Sequence, residues 1–337
     1  MRDQGLQRVG RLVTFSIVIP VYKNEGSLPE LLSVLTDLHR ELGNELEVVF
    51  VVDGSPDRSL ELLAQGLPRA PFRSQLVALS RNFGALAAVR AGLACSRGDL
   101  FGVMAADLQE PPELMLEFKR QLETGDCDVV IGTRARRDDP VGSRLLSATF
   151  WWLYRRLVQR EVPPGGVDVF GGTRRFCRHL LTLSERNSTL VGLIFWLGFR
   201  RAEVAYHRRP RQHGDSAWTL ARRFRYLLDS TFAFSDLPLR LLSAAGISGI
   251  VLAIVLAVSV LIARLTENIS VPGYAATSIL VVFFGGLNSL GLGIIGEYVW
   301  RTFENTKRRP SAIVARHEEF EGQTDQSLMS TAAKNSS

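Results

Sequence analysis

The sequence lacks the residues and motifs that identify several common protein classes. Its 337 residues include only three cysteines, Cys95, Cys127 and Cys177, and none stands in a C-x-x-C or Cys/His spacing. We therefore expect a reducing compartment, no disulfide framework and no zinc site. No G-x-G-x-x-G follows the first apolar run, and no G-x-x-x-x-G-K-[ST] occurs anywhere. These absences argue against a dinucleotide-dependent dehydrogenase and against a P-loop nucleotidase.

The first residues do not have the pattern of a secretory signal. Arg8 and Arg11 precede an apolar run that reaches only Val21 and contains Pro20, which is too short and interrupted for a leader peptide. The net charge is only +6, but arginine is concentrated after residue 134. This clustering predicts an anionic partner such as phosphate or lipid headgroups rather than nucleic acid.

One stretch, Val103–Glu113, carries the clearest chemical signal. A short apolar run ends in Asp107, Gln109 and Glu110, and two prolines then precede a helix start. On an extended chain Asp107 and Gln109 point the same way, so they offer hard oxygen ligands to a divalent cation that carries a diphosphate. The alternative is a strand end followed by a capped helix, with the acids in solvent.

Strands and helices alternate along the first 135 residues with short connections. Strands are predicted at Leu12–Val21, Leu46–Val52, Gln75–Leu79, Leu100–Ala106 and Asp128–Gly132. Helices are predicted at 27–42, from Asp57 to about Gln65, at Ala85–Cys95 and at Glu113–Glu123. The first helix begins at Ser27 with Glu30 three residues on, which is a capping-box spacing. This alternation predicts an α/β fold with a mostly parallel sheet, right-handed crossovers and flanking helices.

Polar or turn-forming residues follow each predicted strand. These sets are Tyr22, Asn24 and Glu25; Asp53 and Ser55; Arg81 and Asn82; Asp107 and Gln109; Thr133 and Arg134. The carboxyl ends of parallel strands share one edge of the sheet, where ligands of open α/β sheets bind. The sequence therefore predicts a functional site at this edge.

Several of these segments together resemble glycosyltransferase family 2. They are I-V-I-P-V-Y-K-N-E, V-D-G-S-P-D-R-S, S-R-N-F-G, A-D-L-Q-E-P-P-E and G-T-R. The resemblance is strongest to the branch of dolichol-phosphate mannose synthase and bacterial polyprenyl-phosphate glycosyltransferases, and it extends from about Phe15 to Arg240. It implies a GT-A type, Rossmann-like fold, a UDP- or GDP-sugar donor, Mg²⁺ or Mn²⁺, and an ionised polyprenyl-phosphate acceptor attacked in one inverting displacement.

The resemblance also implies roles for individual residues. The donor would be held by Pro20, Tyr22, Glu25, Asp53 and Ser55. The metal and diphosphate would be held by Asp107 and Gln109, which with Arg134 make up the expected catalytic set. The acceptor phosphate would be reached by Arg134, Arg144 and Ser147, and Arg208 and Arg211 would close over phosphates from the later loop. Bidentate arginines suit phosphate oxygens, although a single arginine of this kind can equally be solvated or face lipid headgroups.

The sequence departs from the family pattern at three positions. The family usually has the motifs V-D-D-G-S and D-A-D. In this sequence Val52 and Ala105 replace the first acid of each motif, and Phe170 stands where relatives have arginine. The loss at 52 weakens or alters base recognition, and the loss at 105 removes a protein oxygen near the metal. We expect an active enzyme. The alternatives are a non-catalytic membrane partner and a transferase that uses a saccharide or polymer acceptor.

Two long apolar stretches predict a membrane anchor. Leu241–Ala263 and 274–296 are each long enough to cross about 30 Å of hydrocarbon. Arginine and lysine flank the pair on its outer sides, so the positive-inside rule predicts a hairpin with both termini and the catalytic domain cytoplasmic. Gly285, Gly286, Gly293 and Gly296 are expected to bring the two helices close. Leu145–Val158 and Trp218–Leu228 mix aromatics with arginine, as interfacial helices do.

These signals divide the chain into four parts. The predicted parts are a nucleotide-sugar-binding core at 1–135, an acceptor-side region at 136–235, the membrane hairpin at 236–300, and a basic segment with a disordered tail at 301–337. The expected location is a bacterial inner (plasma) membrane, crossed more than once. A homo-oligomer is compatible with this layout.

Overall fold

The computed structural model describes residues 14–134, 149–156, 158–163, 166–185, 188–209, 220–265 and 274–322. Within these ranges the strands β1 to β8 lie at Phe15–Val21, Leu46–Val52, Arg73–Leu79, Leu100–Val103, Val129–Arg134, Val169–Thr173, Arg201–Tyr206 and Val314–Phe320. The helices α1 to α10 lie at Leu28–Leu42, Ser59–Gly66, Ala85–Cys95, Glu113–Glu123, 149–156, Arg174–Thr182, Leu190–Trp196, Leu220–Phe234, Leu237–Leu265 and Tyr274–Thr306.

The strands of the described residues form one sheet in the order β7-β5-β6-β4-β1-β2-β3-β8. Strands β1 to β4 are parallel to one another, and β7 is parallel to β5. Strand β6 runs antiparallel between β4 and β5, and β8 runs antiparallel along β3. The predicted mostly parallel sheet with flanking helices is confirmed, while β6, β7 and β8 lie outside the predicted strands.

Both faces of the central strands are buried because helices cover both sides of the sheet. Along β2, Val48 and Phe50 pack into one core, and Val49 and Val51 pack into the other. This is why β2 is apolar at consecutive positions rather than at alternate ones. Helix α3 lies so close to β1 that a Cβ at Gly92 would stand 2.4 Å from a methyl of the strand. The glycine is therefore required by packing.

Two local expectations are wrong. Strand β4 ends at Val103 rather than Ala106, and Leu108 adopts a positive φ of 55°. Asp107 and Gln109 therefore lie in a tight turn and not on an extended chain. Ser27 does occupy the N-cap of α1, but its side chain accepts no capping hydrogen bond. Its hydroxyl instead donates to the carbonyl oxygen of Ala106, 2.8 Å away, and so ties α1 to that turn.

The strand β8 returns the chain to the sheet after the long helix α10. Its residues pair with β3 from Ser74 to Leu79, and the amide of Ser80 donates to the carbonyl of Ile313 at 2.9 Å. The segment was expected to be only basic and polar, and the polar side chains suit an edge strand whose outer side faces solvent. The end of α10 is thereby attached to the edge of the sheet.

Helices α9 and α10 contain the two predicted membrane spans. Among the residues that the structure describes, Leu237–Leu256 is the segment that is long and apolar enough to cross a membrane, and none of it is buried. The glycines predicted to bring the helices together do not do so in the part of the chain that the structure describes, where a Cβ at Gly285, Gly286, Gly293 or Gly296 would meet nothing within 4 Å. Different glycines lie at the contacts: Gly249 faces Phe284, and Gly291 faces Leu242.

Candidate active site

The edge of the sheet at the carboxyl ends of β1, β2, β4, β5 and β7 gathers most of the described predicted site residues. Val21 pairs with Val52, and Arg134 pairs with Tyr206, so the loops after these strands start side by side. Strand β6 is antiparallel, and its beginning therefore lies at the same edge. It delivers Asp168, which comes just before Val169.

The loops after β1 and β2 are joined by a dense set of hydrogen bonds. The amide of Lys23, which has a positive φ of 57°, donates to Ser55 Oγ at 2.8 Å. Ser55 Oγ donates in turn to Asp57 Oδ1 at 2.6 Å, and Glu25 accepts from the amide of Arg58 at 3.0 Å. Burial alone would raise the pKa of Asp57, but hydrogen bonds from Ser55 and the residues around it lower that pKa below its usual value. The carboxylate therefore stays ionised and holds the two loops together.

Asp53 is buried and has a specific structural task. Its two carboxylate oxygens accept the backbone amides of Phe83 and Gly84, at 2.7 and 2.8 Å, and it is 3% exposed. The loop after β3 is thereby fixed to the end of β2. Gly54 lies against that loop, where a Cβ would stand 2.3 Å from the carbonyl carbon of Arg81. The implied contact of Asp53 with the donor stays a prediction, and the geometry makes Asp53 a positioning residue.

Tyr22 and Pro20 lie at the rim of the same edge. Tyr22 is 43% exposed, and its amide is held by Asn24 Oδ1 at 2.9 Å, so its ring is available to stack on a ligand. Pro20 is half-buried within β1. The placement of both fits the donor-side prediction, which stays a prediction.

The turn after β4 brings Asp107, Gln109 and Arg208 together. The amide of Gln109 points at Asp107 Oδ1, 3.4 Å away. The Gln109 side-chain oxygen accepts from Arg208 Nη2, and its carbonyl oxygen accepts from the amide of Arg209 at 2.8 Å. The predicted metal turn is therefore tied to the segment after β7, which also carries a predicted phosphate ligand.

Glu110 is a member of the site that was not assigned a role from the sequence. It is 3% exposed, and its Oε2 has no hydrogen-bond partner among the described residues. Burial, with the negative charge of Asp107 as the second cause, raises the pKa of Glu110 to about 7. It follows the polar Gln109 and precedes two prolines, and neither neighbour gave a signal that it would be buried.

Arg134 forms an ion pair with a carboxylate of the protein. Its guanidinium binds Asp168 through two hydrogen bonds of 2.5 and 2.8 Å, and the Tyr206 hydroxyl donates to the same carboxylate at 3.0 Å. Burial alone would lower the pKa of Arg134, but the pairing with Asp168 raises it. Burial and the charge of Asp168 both raise the pKa of Tyr206. The predicted role of Arg134 at the acceptor phosphate stays a prediction, and Arg144, Ser147 and Arg211 lie outside the described residues.

The donor set at this edge fits a hard divalent cation. Asp107 and Gln109 offer carboxylate and amide oxygens, which Mg²⁺ and Mn²⁺ prefer, and the unpartnered Oε2 of buried Glu110 lies in the same turn. The part of the chain that the structure describes contains no ready-made group of three or more His, Cys, Asp or Glu side chains around a cation. A cation here would therefore draw further ligands from water or from a phosphate.

Comparisons with known proteins assign the chain to a family. The model of glycosyl transferase family 2 matches residues 16–182. CsbB of Bacillus subtilis (strain 168), named as a glycosyltransferase, is 36% identical over 302 residues, which cover 89% of this chain and 90% of that protein. The undecaprenyl-phosphate 4-deoxy-4-formamido-L-arabinose transferase of Pseudomonas aeruginosa (strain LESB58) is 34% identical over 307 residues, 89% of each chain.

A solved structure of mannosyl-3-phosphoglycerate synthase from Rubrobacter xylanophilus is 17% identical, with a TM-score of 0.45 over 64% of this chain and 71% of that one. On the sequence matches, the protein belongs to glycosyl transferase family 2 and is a glycosyltransferase.

Proposed function

We propose that this glycosyltransferase is anchored in a membrane and moves a sugar from a UDP- or GDP-sugar to polyprenyl phosphate with inversion. The observation that carries the proposal is the junction of Asp107, Gln109 and Arg208 at the carboxyl edge of the sheet. This junction brings a guanidinium, which can neutralise an anion, next to carboxylate and amide oxygens, which can bind a cation. The undecaprenyl-phosphate transferase of Pseudomonas aeruginosa, similar along nine-tenths of the chain, supports this acceptor class.

The donor would lie over the loops after β1 and β2. Tyr22 offers an exposed ring to a base, and the hydrogen bonds of Ser55 and Glu25 keep the surrounding backbone in place before the donor arrives. A loop that is already ordered loses less entropy on binding, so this arrangement favours donor affinity. Val52 stands where the family has an acid, so recognition of the base rests on the other groups.

The diphosphate would be bound through a divalent cation, Mg²⁺ or Mn²⁺, held by Asp107 and Gln109. When bound, the cation neutralises the charge that develops on the departing diphosphate. Arg208 lies beside Gln109 and supplies a further positive charge to the same phosphates. Arg211 is proposed for the same task from its position in the sequence.

The acceptor needs no strong general base. A phosphate monoester has a second pKa near 6 and is largely ionised at neutral pH. The protein must therefore mainly position the two substrates and offset their charge. Arg134, Arg144 and Ser147 are proposed at the acceptor phosphate, and the bidentate pairing with Asp168 fixes the plane of the Arg134 guanidinium.

Helices α9 and α10 are proposed as a two-helix membrane anchor with both ends cytoplasmic. Large apolar side chains on both helices are exposed, among them Leu241, Ile247, Val281 and Leu292. A soluble protein rarely exposes a continuous apolar surface of this kind. The attachment of β8 to the sheet would keep the catalytic edge near the lipid phosphate.

A non-catalytic membrane partner is the second candidate, because Val52 and Ala105 replace two acids of the family pattern. The two are separated by release of nucleoside diphosphate from purified protein in detergent. The assay contains polyprenyl phosphate, a panel of UDP- and GDP-sugars, and Mg²⁺ or Mn²⁺. We expect lipid-dependent release that Asp107→Ala abolishes and Asp37→Ala, an exposed acid on α1, preserves. Donor binding without release for every sugar would favour the non-catalytic partner, and release that needs a saccharide acceptor would change the acceptor class.

A further inference from the structure

Glu110 is buried without the partners that a buried carboxylate requires. It is 3% exposed, and its Oε2 receives no hydrogen bond within the described residues. An unpartnered buried carboxylate is costly, and such groups in native proteins are explained by a ligand, an ion or a functional task. The mechanism proposed above does not use it.

The charges around Glu110 do not compensate it. Asp107 and Asp168 both act on it as negative neighbours, and Arg208 is the positive neighbour. However, Arg208 donates from its Nη2 to Gln109, and its buried Nε has no hydrogen-bond partner within the described part of the chain. Arg134, another arginine at this edge, is paired with Asp168 through two hydrogen bonds. Among the described residues, the charges that act on Glu110 are therefore two carboxylates and one guanidinium, and this balance favours a bound cation.

The backbone explains how Glu110 reaches this place. Leu108 has a positive φ of 55°, a conformation that side-chain-bearing residues rarely adopt. The chain therefore folds back between Asp107 and Glu110 instead of carrying Glu110 away along an extended strand. The same turn has Ala105 where the family pattern has an acid, so Asp107 lacks its usual companion carboxylate.

We propose that Glu110 supplies the second carboxylate of the divalent-cation site formed with Asp107 and Gln109, in place of the acid that is absent at position 105. The inference rests on the proposed function, which places the cation at this turn. The described residues contain no group of three or more His, Cys, Asp or Glu side chains around a cation, so two carboxylates with Gln109 would leave the remaining positions to water or phosphate. The unpartnered Oε2 of Glu110 can bind the cation without breaking a hydrogen bond.

The test is Mn²⁺ binding to the full-length protein in detergent, followed by the electron paramagnetic resonance signal of free Mn²⁺. Titrations are made with Mn²⁺ alone, and with Mn²⁺ together with UDP or GDP. We expect Glu110→Gln to weaken Mn²⁺ binding about 10- to 100-fold, the range found when groups supporting a metal site are removed. Glu110→Asp should restore part of it, because the carboxylate is kept. Glu113→Gln is the matched control, since Glu113 lies three residues on with a side chain that is 71% exposed.

The outcomes separate this inference from the proposed function. If Glu110→Gln binds Mn²⁺ like the wild type while Asp107→Asn loses it, the inference is overturned and the proposed function stands. If the wild type binds no Mn²⁺ under any of the conditions, the inference and the metal dependence of the proposed function both fail. If Glu110→Gln does not fold, the Glu110→Asp titration decides: unchanged affinity with a shortened carboxylate contradicts a direct ligand.

Discussion

Two groups of loops at the same edge of the sheet are built in opposite ways. In the loops after β1 and β2, the hydroxyl and carboxylate groups of Ser55, Asp57 and Asp53 are all engaged by hydrogen bonds within the protein. In the segments after β4 and β7, Glu110 Oε2 and Arg208 Nε are buried without partners among the described residues. The first group is complete without a ligand, and the second is not.

The loops after β1 and β2 therefore form a rigid frame, and the segments after β4 and β7 form the part of the site that binds a ligand. A fully satisfied polar network is rigid and specifies one conformation, whereas a partly satisfied one carries a free-energy cost that a ligand can remove. The donor side is therefore preorganised, and the side with Asp107 and Gln109 is completed by what binds there. Substitutions in the first group should act on stability, and those in the second should act on ligand binding and on pH dependence.

The largest expected effect on folding comes from Asp53→Ala. Its carboxylate receives two backbone amides, and hydrogen bonds to charged groups contribute about 1.5–3 kcal/mol each. We expect the free energy of unfolding to fall by about 4 kcal/mol, with a lower Tm in detergent and loss of order in the loop after β3. Thermal unfolding followed by circular dichroism measures the first effect.

Asp37→Ala is the control for this substitution. Asp37 pairs with Arg40 on the exposed face of α1, and exposed pairs of this kind contribute less than about 1 kcal/mol. If Asp53→Ala unfolds at the same temperature as Asp37→Ala, the frame does not depend on Asp53 and the contrast between the two groups of loops is lost.

Glu110→Gln should change the pH dependence of stability. The folded protein holds the proton of Glu110 up to pH about 7, whereas an unfolded chain releases it near 4.5. Between these values the unfolded state binds fewer protons, so this group lowers stability as pH rises, by up to about 3 kcal/mol above pH 7. In EDTA the variant should therefore match the wild type near pH 4.5 and be more stable at pH 8.

Tm measurements at pH 4.5, 6 and 8 test this sign, and Glu113→Gln is again the matched control. Added Mn²⁺ should narrow the difference at pH 8, because the wild type binds it more tightly through Glu110. A wild type and variant that lose stability in parallel between pH 4.5 and 8 would show that Glu110 is not a buried acid in solution.

The core of the fold was predictable because burial on both faces leaves a simple pattern. β1 and β2 are apolar except for Ser16 and Glu47 and lie between turn residues, and α4 has the predicted bounds, Glu113–Glu123. β6 was not predictable because V-F-G-G-T is short and glycine-rich, and its place between β4 and β5 depends on distant pairing. β8 was missed because V-A-R-H-E-E-F is polar, and only its pairing with β3 makes it a strand.

The candidate site was predictable at the level of its edge and not of its partners. The alternation of apolar runs and polar residues predicted Asp107, Gln109 and Arg134 at strand ends, since each follows an apolar run. No pattern predicts that Arg134 is paired with Asp168, because the two are 34 residues apart and meet through the antiparallel strand β6. Glu110 was missed for a related reason: its burial depends on the positive φ of Leu108, which no residue type in that stretch indicates.

The smallest expected effect is that of Ser55→Ala, which tests whether the loops after β1 and β2 only support the site. Ser55 Oγ accepts from the amide of Lys23 and donates to Asp57, so its loss removes two hydrogen bonds in a half-exposed place that water can enter. We expect a loss of about 1 kcal/mol in stability and a modest rise in the KM for the donor, with kcat unchanged. Steady-state kinetics with the sugar nucleotide that the release assay selects measure both constants. A fall in kcat with unchanged KM would mean that Ser55 acts on the reacting groups, and the loops after β1 and β2 would then be more than a frame.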